Sequence, residues 1–265
     1  MTDLKYKRTG NVLNKKYIQY LIPTLLSAIG LSLSEFADSM IVSHLLGTEA
    51  FAVVNLASPI VLMVSMVYQI TGLGGSLLFA EYLGKKNREN ADKFFSISTA
   101  LALLSGMILF ILLMAFRPLL SSLLGCPAGL SSEFNRYINV LSCFVPIGIL
   151  QMHFTYFLPV IGAPAFSMGL VLTENVLNII LDYVFIDIFG MGCDGAAAAT
   201  LISYVITFVT MILIWYFGRI PLTLRRFKIT GQDVKIIVKK GFPTGSVQAV
   251  KILLLFSDLR NFFII

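Results

Sequence analysis

Apolar residues run through this chain in long unbroken blocks. Polar positions fall between the blocks, not along one face of each, as they would in a soluble helix. No charged residue occurs between Glu49 and Glu81, between Lys93 and Arg117, or between Asp194 and Arg219. The stretch from Arg136 to Glu174 is also free of formal charge, with His153 inside it. About 20 apolar residues cross a bilayer as a helix, so each block is long enough to do so. The pattern predicts spans at roughly 17–42, 52–79, 94–116, 137–160, 168–190 and 196–218, with a seventh beginning near 243. Short connections imply an antiparallel arrangement. The expected fold class is therefore all-α: a polytopic membrane helical bundle of six transmembrane helices plus the start of a seventh.

The connections differ in character. Gly84-Lys85-Lys86-Asn87-Arg88-Glu89-Asn90 is short and charged, and Gly162-Ala163-Pro164 reads as a tight turn. Gly190-Met191-Gly192-Cys193-Asp194-Gly195 is a second turn, while 117–136 is long enough for a short surface helix. From Arg219 to Lys240 basic and apolar residues alternate, the pattern of a helix lying along a membrane surface. The expected organisation is a segment 1–16, a six-helix lobe 17–218, a linker 219–242 with an interfacial helix, and 243–265 as the opening of a second lobe.

Composition supports the membrane reading: 57% of residues are hydrophobic and 13% charged, against about a quarter charged in a soluble domain. The net charge of +6 would fit nucleic acid if its placement did not say otherwise. Lys5, Lys7, Arg8, Lys15 and Lys16 precede the first span, and Lys85, Lys86, Arg88 and Lys93 follow the second. Arg219, Arg225, Arg226, Lys228, Lys235, Lys239 and Lys240 follow the sixth, while only Arg117 and Arg136 lie on the alternate side. Sixteen against two is the positive-inside bias, which puts the N-terminus in the cytoplasm and the chain in the plasma (inner) membrane. The basic excess is thus topology, and no nucleic-acid partner is expected. The first apolar stretch is too long for a cleaved signal. Cys126, Cys143 and Cys193 have no metal-ligand spacing and read as structural thiols.

Two stretches 220 residues apart match in register. Ile22-Pro23-Thr24 with Leu33, Phe36 and Asp38 is paralleled by Phe242-Pro243-Thr244 with Leu253, Phe256 and Asp258. A repeat whose second unit holds a single helix implies that the chain carries the first half of a two-lobed protein.

Acids at membrane depth cost about 2.5–3.5 kcal/mol each on insertion scales. The first span carries Glu35 and Asp38, the fifth Glu174 and Asp182, so four facing lipid would cost roughly 10–14 kcal/mol. Most must face a cavity or a polar partner. Glu174, Asn178 and Asp182 are four apart and share one helix face, with Asn175 beside them. If Asp38 meets Asn178 and Asp182, the oxygens suit a hard cation such as sodium, or a carboxylate that carries a proton. Helix-to-helix hydrogen bonding is the plainer reading of the two asparagines. Gln69, Gln151, His153 and Thr200 are further cavity candidates, with His153 expected to serve packing. Pro23 is expected to bend the first helix below its acids. Small residues at Gly72-Leu73-Gly74-Gly75 allow close helix approach. No nucleophile–base pair or cofactor motif occurs, so no enzyme activity and no cofactor beyond a coupling ion are expected.

Together these residues resemble the N-terminal lobe of the multidrug and toxic compound extrusion (MATE) family. The carrying stretches are Ile22-Pro23-Thr24, Ala37-Asp38-Ser39-Met40-Ile41-Val42, Leu46-Gly47-Thr48-Glu49-Ala50 and Ala57-Ser58-Pro59-Ile60. Further along come Leu83-Gly84-Lys85-Lys86-Asn87-Arg88-Glu89-Asn90-Ala91, Asn178-Ile179-Ile180-Leu181-Asp182, Gly195-Ala196-Ala197-Ala198-Ala199-Thr200 and Gly241-Phe242-Pro243-Thr244-Gly245. The resemblance implies twelve spans in two lobes around a central cavity, exporting cationic amphipathic drugs in exchange for sodium or protons. It implies a cation site at Asp38, Asn178 and Asp182, with Thr200 as a weaker match and Glu35 and Glu174 as cavity residues. This chain would then be the antiporter's N-terminal half, completed by a missing C-terminal lobe or a second copy. Two other readings stand beside it. One is a flippase for lipid-linked sugars of the same superfamily, disfavoured because spans one to six hold acids and no interior base. The other is a truncated membrane protein that moves nothing, in which Lys251, Asp258 and Arg260 would be poorly satisfied on a helix without neighbours.

Overall fold

A computed structural model describes the backbone of residues 2–218 and 220–262, and side chains at 14, 16–34, 36–37, 39–218 and 220–255. The elements are α1 (Thr2–Leu56), α2 (Ser58–Gly84), α3 (Arg88–Ala115), α4 (Arg117–Leu123), α5 (Ser131–Phe157), α6 (Pro164–Tyr183), α7 (Cys193–Tyr216) and α8 (Gly231–Phe262). A single π-helical turn, Val184–Ile188, prolongs α6. Among the described residues, six helical stretches are long and apolar enough to cross a bilayer: Lys16–Leu56, Ser58–Gly84, Arg88–Ala115, Ser131–Phe157, Pro164–Ile188 and Cys193–Tyr216. The all-α membrane bundle is thus the observed architecture.

Element boundaries depart from the sequence pattern by several residues. The first helix does not stop near residue 42 but continues to Gly47, whose backbone (φ 81°, ψ −175°) breaks it. A left-handed φ is open to glycine without steric cost, so the chain turns at Gly47, within the short 43–49 stretch that lies between the first two expected spans. The next residues re-enter a helix that buries Ala50, Val53 and Leu56. Pro59 then opens α2, where its missing N–H costs nothing. Pro23 sits within α1, and the helix passes through it without leaving helical dihedrals. The segment expected as an interfacial helix and the start of the seventh span form one element, α8, with Pro243 inside it.

The most enclosed span is α5, which packs on α2, α3 and α7. Near one end, Phe134, Ile138, Leu141, Phe144, Val145 and Ile149 meet Val53, Leu56 and Ile60 in one apolar cluster. Near the other, Phe79, Phe95, Phe154 and Phe157 form an aromatic cluster with ring centroids 5.0 to 6.2 Å apart, against Trp215. Such edge-to-face pairs add roughly 0.5–1.5 kcal/mol each beyond area burial.

Helix α8 lies along α2, so the seventh helix has a neighbour, with the two helices antiparallel. Their approach leaves no room for side chains at three glycines. A Cβ at Gly74 would overlap the Ile237 carbonyl, one at Gly241 the Ile70 carbonyl, and one at Gly245 the Ile70 side chain. Without a hydrophobic drive between helices in lipid, this kind of backbone contact carries association. Polar anchors hold the same end. Lys93 Nζ lies 2.8 Å from Asp233 Oδ1, and Lys240 Nζ 2.9 Å from Glu81 Oε2. Burial opposes ionisation of Asp233, but hydrogen bonds from Lys93 and Thr230 outweigh it and hold the carboxyl below its usual value. Asp92, 1% exposed, receives Arg88 at 2.9 Å and Arg225 at 3.6 Å. The α7–α8 connection is thereby strapped to α3, and Trp215 Nε1 donates to Leu222 O at 2.7 Å. Exposed ion pairs contribute little, but a buried carboxylate such as Asp92 is costly to strand.

Substituting Gly241→Ala should lower stability in detergent unfolding by about 1–3 kcal/mol, because a methyl must fit against backbone. Gly169→Ala is the control: a Cβ there meets nothing, and stability should hold or rise by up to about 1 kcal/mol. Equal behaviour of the two would contradict glycine-mediated docking of α8.

Candidate functional site

A cavity of about 610 Å³ opens among α1, α2, α5, α6, α7 and α8. It lies toward the end of the bundle that carries the α1–α2 corner and the start of α5, since Asn55, Ser58, Val61 and Tyr137 line it. Most of the wall is apolar, with Leu31, Val54, Leu62, Leu141, Phe144 and Leu254 contributing. Polar groups concentrate on α6, which presents Glu174, Asn175 and Asn178, and on α7, which presents Thr200 and Tyr204.

The four-residue spacing on α6 explains this grouping. Residues at i and i+4 share a helix face, so Glu174 and Asn178 both look into the cavity. The third member of the stripe, Asp182, is fully buried and is not on the wall; it sits one turn farther, with Tyr183 between it and the π-helical turn. Single π turns recur at functional sites because they re-aim the side chains around them. Asn178 Nδ2 donates to Thr200 Oγ1 at 3.4 Å, and Thr200 Oγ1 donates to Ala196 O at 3.1 Å. Two of the expected cation-site residues are therefore brought together across α6 and α7.

Glu174 is 4% exposed and Asn175 6%. Glu174 Oε2 and Asn175 Nδ2 are buried with no hydrogen-bond partner among the described residues. A buried polar group left unpaired costs roughly 1–3 kcal/mol, more when charged. The fold carries that cost on the cavity wall, where a ligand can relieve it.

The remaining expected residues divide. The side chains of Glu35 and Asp38 lie outside the described residues; their neighbours Ser34 and Ser39 line the cavity, so this part of α1 forms the wall. Gln151, fully buried on α5, accepts a hydrogen bond from Thr207 on α7 at 2.9 Å. His153, also fully buried, lies 3.1 Å from Thr99 Oγ1 on α3 and packs on Phe157 at 5.0 Å. Gln69 is buried on α2. None of these three is on the cavity wall. Among the described residues no three His, Cys, Asp or Glu side chains gather to hold a metal ion, and the three cysteines are free.

Sequence reasoning missed Asn55, Tyr137, Tyr204 and Lys251 as wall residues. Tyr204 was within reach, since it lies four positions after Thr200 and so on the same face of α7. The ring also packs edge-on against Phe144 at 4.6 Å. Asn55 is placed by the turn at Gly47 and Lys251 by the docking of α8, and the hydropathy pattern does not announce that docking.

The MatE family model matches residues 23–184. The chain is 27% identical over 236 residues to the probable multidrug resistance protein YoeA of Bacillus subtilis, covering 85% of this chain and 51% of that protein. It is 26% identical over 233 residues to the multidrug export protein MepA of Staphylococcus saprophyticus, covering 86% and 51% respectively. Among solved structures, the outward-facing conformation of a multidrug resistance MATE family transporter of the MOP superfamily superposes with a TM-score of 0.79. The sequences there are 28% identical, over 88% of this chain and 52% of the other. The chain thus spans about half the length of the relatives it matches.

Replacing the unpartnered acid tests the reading of this wall. Glu174→Leu should raise unfolding stability in detergent by about 1–3 kcal/mol, because a buried unpaired carboxyl is exchanged for an apolar side chain. A loss of stability would mean that the carboxyl is held by a partner and is not kept for a ligand.

Proposed function

The chain belongs to the MatE family, and on that footing we propose that it forms the N-terminal lobe of a cation-coupled multidrug exporter. The observation that carries this reading is the cavity: mostly apolar walls, one buried unpaired carboxyl, and amides and hydroxyls converging from α6 and α7. Apolar walls suit the body of an amphipathic drug, and a few placed polar groups orient it. A carboxylate in a low-dielectric pocket favours a cationic group or an inorganic cation over neutral cargo.

Coupling follows from two ligands with differential affinity for two states. A sodium ion or proton taken up at Asp38, Asn178 and Asp182, with Thr200 beside them, would favour the state that releases drug outside. Each positive charge moving inward through the membrane potential supplies about 2.3 kcal/mol per 100 mV. With its sixteen basic residues on one side, the N-terminus lies in the cytoplasm, and the cavity then opens in the outer half of a plasma-membrane protein. A second lobe, from a longer chain or a second copy, would close the open side.

The test is binding of a cationic dye such as ethidium to the purified protein, read by fluorescence while sodium is raised at constant ionic strength and, separately, while pH is lowered. One of the two ions should release the dye. Asn178→Ala combined with Asp182→Asn should abolish that release while the dye still binds. Dye binding that is indifferent to both ions would refute cation coupling at this cavity.

A further inference from the structure

Among the described residues, spans one to six bring no basic side chain to the cavity, but α8 does: Lys251 lines it, together with Leu254 and Leu255. Its place there is set by backbone packing rather than by a flexible loop. Gly241 and Gly245 seat α8 against Ile70 of α2, and Lys93–Asp233 and Lys240–Glu81 pin the same end of the helix. Six residues beyond Gly245, about 9 Å of helix, Lys251 joins Val61 and Leu62 of α2 at the cavity. An ammonium turned to lipid at this depth would cost about 2.5–3.5 kcal/mol, whereas at the cavity it keeps water or meets cargo.

The same wall holds Glu174 and Asn175, with Glu174 Oε2 and Asn175 Nδ2 unpartnered. The cavity therefore offers a positive donor on α8 and a carboxyl with amides on α6. A purely cationic ligand gains from Glu174 and is repelled by Lys251. A ligand that also carries a carboxylate, or another strongly accepting oxygen, gains from both. We propose that Lys251 is a specificity-determining residue that makes the cavity select zwitterionic amphiphiles over simple lipophilic cations. The proposal rests on the cavity being the cargo site and adds the class of cargo.

A matched probe pair separates the two ideas: a rhodamine with a free carboxylate, and its methyl ester, which keeps the cation and loses the anion. Binding of each to the purified protein is followed by fluorescence anisotropy. For Lys251→Met the dissociation constant of the carboxylate dye should rise roughly tenfold, the low end for a charge-assisted hydrogen bond at a water-accessible position. The ester should bind unchanged or more tightly, and Lys251→Arg should restore most of the loss. An unchanged ratio between the dyes overturns the proposal and leaves the cargo site standing, and equal weakening of both dyes overturns it in favour of a packing role. Failure of both dyes to bind the unaltered protein overturns the cargo-site reading and this inference with it.

Discussion

A polar side chain inside a membrane must find water, a partner or a ligand, and that constraint organises the lobe. Helix α6 carries Glu174, Asn175, Asn178 and Asp182 within nine residues. None is acceptable against acyl chains, so the helix is held with that face inward. Meanwhile Val176, Ile180 and Tyr183 take the exposed side. The cavity opens against part of this face, where Asn178 reaches Thr200 while one oxygen of Glu174 reaches nothing described.

Walls for such a cavity need helices that pack tightly elsewhere. The aromatic cluster around Phe95 and Phe157 and the contact of α8 with α2 close the bundle at the end away from the cavity. The ion pairs of Asp92, Asp233 and Glu81 add positional control there at little energetic benefit where they are exposed. A lobe rigid at one end and open at the other leaves its polar groups available at the open end, as a binding surface requires.

Much of this was legible in the sequence. Uninterrupted apolar blocks of bilayer length gave the spans, because lipid enforces a simple rule of length and polarity. The α6 stripe was legible from its four-residue period, whereas the family resemblance offered Thr200 only as a weaker match and did not announce its hydrogen bond with Asn178. Boundaries were less legible: α1 runs past residue 42 to its break at Gly47, and α8 runs on through Pro243 from the linker. Polarity by itself did not tell a cavity residue from a buried one. Gln151 and His153 have the chemistry for a site, yet Thr207 and Thr99 on adjoining helices engage them in the core. Lys251 shows the converse: alone on a seventh helix it looks unsatisfied, and the α2–α8 glycine contact gives it a cavity to face.

The central claim is that the polar face of α6 meets water while its opposite face meets lipid. Spin labels placed singly at Asn178 and Ile180, in the reconstituted protein, report this directly through electron-spin-echo modulation by deuterated water. Strong deuterium modulation at 178 with little at 180 is the expected result. Equal or reversed modulation would mean that α6 does not present these side chains to an aqueous cavity, and the account would fall.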